Sequence, residues 1–108
     1  MTVRELAGAL QLTPFHLPDP DRPVAGGYCG DLLSWVMGRA GADSAWLTIM
    51  SNVNVAAVAA LSDVACVVLT EGVAPDEALL AKARAQDINL LGTDRSTFDA
   101  AAALAGVL

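Results

Sequence analysis

Ala65-Cys66-Val67-Val68-Leu69 is the stretch on which the fold turns. Five apolar residues in a row, with no polar alternation, are the mark of a strand covered on both faces. Upstream, Asn54 to Leu61 reads as a helix, and Ala45-Trp46-Leu47-Thr48-Ile49 before it as a strand. Downstream, Pro75 suits a first helical position. Asp76 and Glu77 follow it and suit the positive end of a helix. That helix is predicted to reach about Gln86, with Leu79, Leu80 and Ala83 inward, and Ile88 to Leu91 is the next strand. Strand, helix, strand, helix, strand with short loops requires parallel strands joined by right-handed crossovers. A last helix is capped by Ser96 and turns Phe98, Ala101, Ala102 and Ala105 inward.

The first third is less regular. Thr2-Val3-Arg4-Glu5 has the spacing of a capping box, opening a helix that ends near Leu12. Thr13 to Pro23 holds four of the five prolines and excludes helix. Phe15-His16-Leu17 is compatible with a short strand. Val24-Ala25 is compatible with another, ending at a Gly26-Gly27 turn. Asp31 starts a second helix, running to about Arg39, with Leu32, Leu33, Val36 and Met37 toward a core. The expectation is a small single α/β domain over residues 1–108, a mainly parallel sheet flanked by helices.

Composition narrows the function classes. The chain has 108 residues, 55% of them hydrophobic, which supports one packed core and excludes general disorder. Its formal charge of −6 argues against a nucleic-acid backbone or an anionic membrane as partner. Cys29, Cys66 and a lone His16 are too few for a zinc site, and no cofactor is expected. Reduced, buried thiols are favoured over a disulfide. The polar start is unlike a signal peptide and no apolar run is long enough to span a membrane, so the expected location is cytoplasmic.

In a parallel sheet, ligands gather beyond the carboxyl ends of the strands. Those ends lead into Met50-Ser51-Asn52, Thr70-Glu71-Gly72 and Gly92-Thr93-Asp94. Ser51, Asn52, Thr93, Asp94 and Ser96 are therefore candidate ligand-binding residues for a small metabolite or nucleotide, with helix capping as the plainer role for each. Gly26, Gly27 and Asp31 join them if the glycine pair lets backbone approach a ligand or partner; a simple bend is the alternative. No Gly-x-Gly-x-x-Gly or Gly-Lys-Ser/Thr occurs. His16 lacks a neighbouring nucleophile and Cys29 a neighbouring cation, so no catalytic residue is assigned. The helix from Asn54 has almost no polar face. With Val55 and Val58 on it, and Trp35 off its own helix's apolar stripe, it suggests an interface with a second copy.

Asp21-Arg22-Pro23-Val24-Ala25-Gly26-Gly27, followed by Asp31-Leu32-Leu33-Ser34, resembles the DRTGG domain family, with Pro-Val-Ala where one Thr would stand. Thr93-Asp94-Arg95-Ser96-Thr97-Phe98 is similar to that family's strand-to-helix corner. The resemblance implies a fold like the N-terminal domain of bacterial HPr kinase/phosphorylase. It also implies kinship with regulatory domains of some phosphotransacetylases and of pyrophosphatases carrying CBS domains. Those domains are not the catalytic parts; they are associated with dimerisation and ligand sensing. The reading is a non-enzymatic regulatory module, homodimerising and sensing a small molecule at the strand ends. An adaptor for a kinase or metabolic enzyme is the alternative.

Overall fold

The computed structural model describes every residue from Met1 to Leu108. Helix α1 (Val3–Leu10) is followed by strands β1 (Thr13–His16) and β2 (Gly26–Cys29), then α2 (Leu33–Arg39), β3 (Ser44–Thr48) and α3 (Asn54–Ser62). The chain continues with β4 (Cys66–Leu69), α4 (Glu77–Ala85), β5 (Leu90–Gly92) and α5 (Thr97–Val107). The sheet order is β1-β5-β4-β3-β2, with β2 to β5 parallel and β1 antiparallel to β5. The mainly parallel α/β fold expected from the apolar runs is the fold observed.

Alternation along the buried strands divides the core. Ala45, Leu47, Cys66, Val68 and Leu91 face one side, where they meet Val3, Leu6 and Leu10 of α1 and Ala100 and Leu104 of α5. Trp46, Val67, Leu69 and Leu90 face the other, against Val36 of α2, Val55, Ala56, Val58 and Ala59 of α3, and Leu79 and Ala83 of α4. Successive side chains on a strand point to opposite faces, so an unbroken apolar strand serves two helical layers.

The three crossover helices α2, α3 and α4 share one face, and their strands advance β2, β3, β4, β5 in one direction. Crossovers of one hand produce this arrangement. After β5 the chain turns the other way, and α5 joins α1 on the opposite face.

Several local expectations are corrected. The capping box at Thr2 and Glu5 is present, but α1 stops at Leu10 because Gln11 adopts a left-handed conformation (φ 55°). Gly26 and Gly27 form no turn: they are the first residues of β2, paired with Ser44 and Ala45. Asp31 does not cap α2, whose N-cap is Leu32 with no side-chain hydrogen bond. Leu32 and Met37 are exposed rather than inward. Pro75 lies just before the N-cap Asp76 of α4. Phe98 is 81% exposed, and α5 turns Ala100 and Leu104 to the core instead.

Val55 and Val58 are corrected as interface residues. They are 0% and 6% exposed. The second apolar side of α3 is covered by α2 and α4 of the same chain.

Candidate functional site

Loops leaving β4 and β5 depart toward opposite faces, since α4 and α5 lie on opposite sides of the sheet. Adjacent parallel strands that diverge in this way define a topological switch point, where α/β folds characteristically open a crevice. A cavity of about 180 Å³ lies at that point, lined by Thr13 and Phe15 of β1, Gly72, Val73 and Ala74 after β4, and Gly92, Thr93 and Asp94.

Two glycines shape its walls. The Phe15 ring sits on Gly92, where an added Cβ would come within 2.6 Å of Phe15 Cε2. Gly72 has φ +73°, and the Asp94 carboxylate lies over it, 3.3 Å from where a Cβ would stand. Glu71 before it is also left-handed, at φ 61°. A non-glycine residue in that region is uncommon and is held only by its surroundings. Here they are explicit. Glu71 N donates to Arg95 O, Gly72 N to Thr93 O, and Glu71 Oε2 accepts from Thr97 N at 2.8 Å. The Thr70 and Thr97 hydroxyls meet at 2.6 Å beneath. The loops are thus fastened together behind the cavity.

The sequence-derived candidates separate into three groups. Thr93 and Asp94 line the cavity. Asp94 makes no hydrogen bond or ion pair, whereas Thr93 Oγ1 accepts from Arg95 N. A second group closes helix ends: Ser96 Oγ accepts from Asp99 N, Asn52 Oδ1 from Asn54 N, and Ser51 Oγ donates to Asp76 Oδ1. Asp99 N and Asn54 N are thus satisfied by the chain itself. Asp31 closes no helix end but is likewise occupied, accepting from the Thr48 hydroxyl at 2.7 Å and Ile49 N at 3.0 Å at the end of β3.

The third group lies at the other end of the sheet. Gly26 and Gly27 start β2, and a Cβ on Gly27 would stand 2.6 Å from Leu104 Cδ2. The pair therefore brings α5 close to the sheet, away from the carboxyl ends of the strands, and Gly27 lines a second cavity of about 190 Å³ with Cys29 and Leu104. Nearby, Arg22 donates to Asp43 Oδ1 through Nε and Nη2, and through Nη2 to Asp63 Oδ1. These carboxylates hold its guanidinium even further into the charged range, over the opposing effect of burial. Buried Asn89, which no pattern in the sequence singles out, bonds Asp19 N, Asp19 O and Ala65 O. Arg22 and Asn89 thus tie the proline-rich segment to the amino edge.

Trp35 is half exposed, with the Arg39 guanidinium 3.8 Å from its ring centroid. Cys29 is exposed, and burial and then Asp31 push its thiol up. Cys66 is buried and pushed up to about 12. The two remain free thiols. His16 is half-buried in β1, and its Nε2 has no partner. No helix is long and apolar enough to cross a membrane.

Residues 43–107 match the DRTGG domain. The chain belongs to the DRTGG domain family. The matched residues include the Thr93–Phe98 corner and the cavity loops after β4 and β5, but not Asp21–Gly27. Among solved structures, the chain is similar to the CBS and DRTGG domains of the regulatory region of Clostridium perfringens pyrophosphatase, complexed with its activator diadenosine tetraphosphate. The TM-score is 0.76 at 11% identity, over 95% of this chain and 45% of the other. The likeness is one of fold, and this DRTGG chain spans less than half the length of that regulatory region. No curated protein matches it.

Proposed function

We propose that this DRTGG domain is a non-enzymatic regulatory module. It binds a small metabolite or nucleotide at the strand carboxyl ends and pairs with a second copy of itself in the cytoplasm. The observation that carries the sensing half is the cavity at the β4/β5 switch point, walled by Gly72 and Gly92 with Phe15, Thr93 and Asp94. Family membership supports the regulatory role. The neighbouring pyrophosphatase region, which is complexed with a dinucleotide activator, shows that a DRTGG domain occurs beside ligand control. A thermal-shift screen against nucleotides and central metabolites tests the sensing half, because a ligand of the folded state raises the midpoint by mass action. No stabilising compound would refute it. A monomer at tens of micromolar in light scattering, roughly, would refute the pairing half.

One observation favours a second reading, a protein-interaction adaptor. Leu32 and Trp35, three residues apart at the start of α2 and so on one face of it, are 55% and 51% exposed. Large apolar side chains shown to solvent together mark contact surfaces. Loss of a purified partner on Trp35→Ala, with no ligand found in the screen, would favour the adaptor.

A further inference from the structure

The geometry points to a ligand group for the switch-point cavity: a planar group with two adjacent N–H donors, as on the edge of guanine or in a guanidinium, and not a phosphate. The inference rests on the sensing half of the reading above and specifies its chemistry.

Charge decides against an anion. Six of the twelve acidic residues stand at or beside the carboxyl edge: Asp31, Glu71, Asp76, Glu77, Asp94 and Asp99. Of the six basic residues only Arg95 does; Arg4 and Arg22 belong to the segment on the amino edge, and Arg39, Lys82 and Arg84 to the returning ends of α2 and α4. The α5 N-terminus, the obvious phosphate seat, already receives the Glu71 carboxylate on Thr97 N and the Ser96 hydroxyl on Asp99 N. An entering phosphate would meet carboxylates there, with Thr97 N and Asp99 N already taken.

The lining selects what does fit. Asp94 is a carboxylate with no partner at the mouth of the cavity, and an ionised carboxylate only accepts. Its two oxygens match a pair of parallel N–H donors, the arrangement that makes bidentate contacts strong. Phe15 offers an aromatic surface for a planar group, and the Thr13 and Thr93 hydroxyls can donate to an acceptor such as a ring carbonyl. At about 180 Å³ the cavity is below the ~300 Å³ from which pockets enclose drug-sized ligands, so it receives one ring-sized group.

The test is calorimetric titration of the full chain with guanosine, inosine, adenosine, agmatine, inorganic phosphate and pyrophosphate. Guanosine is expected to bind about tenfold or more tightly than inosine, which lacks the second donor, and than adenosine, which cannot offer the pair. Asp94→Asn, at an exposed and unpartnered position, should weaken guanosine by a similar factor. Thr13→Val should weaken guanosine but leave agmatine, which has no acceptor, unchanged. Asp94-dependent binding of agmatine without guanosine would support the double-donor chemistry and identify its source as a guanidinium. Equal binding of inosine and guanosine, or guanosine binding indifferent to Asp94→Asn, would overturn the inference. Binding of phosphate or pyrophosphate alone would overturn it too, while leaving small-molecule sensing intact. Silence from all six, together with a thermal-shift screen without a hit, would remove both.

Discussion

Arg22 holds Asp63 twice through one nitrogen, donating Nη2 to the backbone carbonyl at 2.7 Å and to the carboxylate at 2.9 Å. Asp63 is the left-handed C-cap of α3 (φ 54°), and Asp43, the other partner of Arg22, is left-handed just before β3 (φ 63°). One guanidinium therefore secures two corners of the amino edge, which are also joined by Asp43 N to Asp63 O. A planar fork of five donors suits such a task, and an ammonium does not.

Arg22→Ala is expected to destabilise the domain by about 2 kcal/mol, within the range for hydrogen bonds to charged groups at a partly exposed site. Arg22→Lys should recover less than half of that. Urea midpoints for the three proteins check it, and a lysine variant as stable as the parent would show that charge alone suffices.

Asn89→Ala should cost about 3 kcal/mol, because it strips partners from Asp19 N, Asp19 O and Ala65 O together. The loss should be accompanied by faster proteolysis within the Pro18–Pro23 segment, measured by limited digestion and mass spectrometry. A destabilised variant with an unchanged cleavage pattern would separate Asn89 from the anchoring of that segment.

Gly27→Ala should lower stability by about 1 kcal/mol through overpacking against Leu104, despite the usual gain when a strand glycine acquires a side chain. Adding Leu104→Val should relieve part of the Gly27→Ala effect. A double-mutant cycle in thermal unfolding gives the coupling, and strict additivity would contradict the close approach.

Cys66 makes stability depend on alkaline pH. Its folded-state thiol is raised from 9.0 to about 12 by burial, so the unfolded chain loses the proton first. Protons bound to the native state then exceed those on the unfolded state, and unfolding becomes easier as pH climbs. The contribution is whole below about pH 9 and vanishes toward pH 12, at most about 4 kcal/mol by linkage. Cys66→Ala should flatten this part of the stability–pH curve. In a thiol titration at neutral pH, Cys29 should react in the native protein and Cys66 only in denaturant.

Trp35→Ala should change stability by under about 0.5 kcal/mol, as is usual for an exposed residue. The pairing reading expects the same change to shift light scattering toward monomer. A dimer unaffected by it would place the contact elsewhere.

Strands β3 and β4 were legible because residues covered on both faces leave an unbroken apolar run. Helix α3 was legible as a helix but misleading as a surface. An apolar helix needs two covered sides, and in a chain of 108 residues α2 and α4 prove enough to supply the second. Helix α5 defeated the face assignment because alanine on nearly every side leaves Phe98, its largest residue, to draw attention outward. Asp31 had the sequence position of a cap, yet its carboxylate serves Thr48 and Ile49 on the next strand, a contact with no local signature.

The site was legible in part. Strand carboxyl ends follow from the alternation of elements, and they led to Thr93 and Asp94. Thr13 and Phe15 were not reached, because the antiparallel placement of β1 beside β5 follows from no local pattern. The Gly26–Gly27 pair in a strand carried a usable signal after all: bare backbone inside a strand often means that something packs closely over it.

The joint behind the cavity has a mechanical consequence. Thr70, Glu71 and Gly72 belong to the chain entering α4, and Thr93, Arg95 and Thr97 to the chain entering α5, yet four hydrogen bonds lock them together. A group wedged between Gly72 and Asp94 would strain that lock from one side only. Because the two helices ride on opposite faces, any slip in it would be delivered to both surfaces at once, as a pivot moves both arms of a lever.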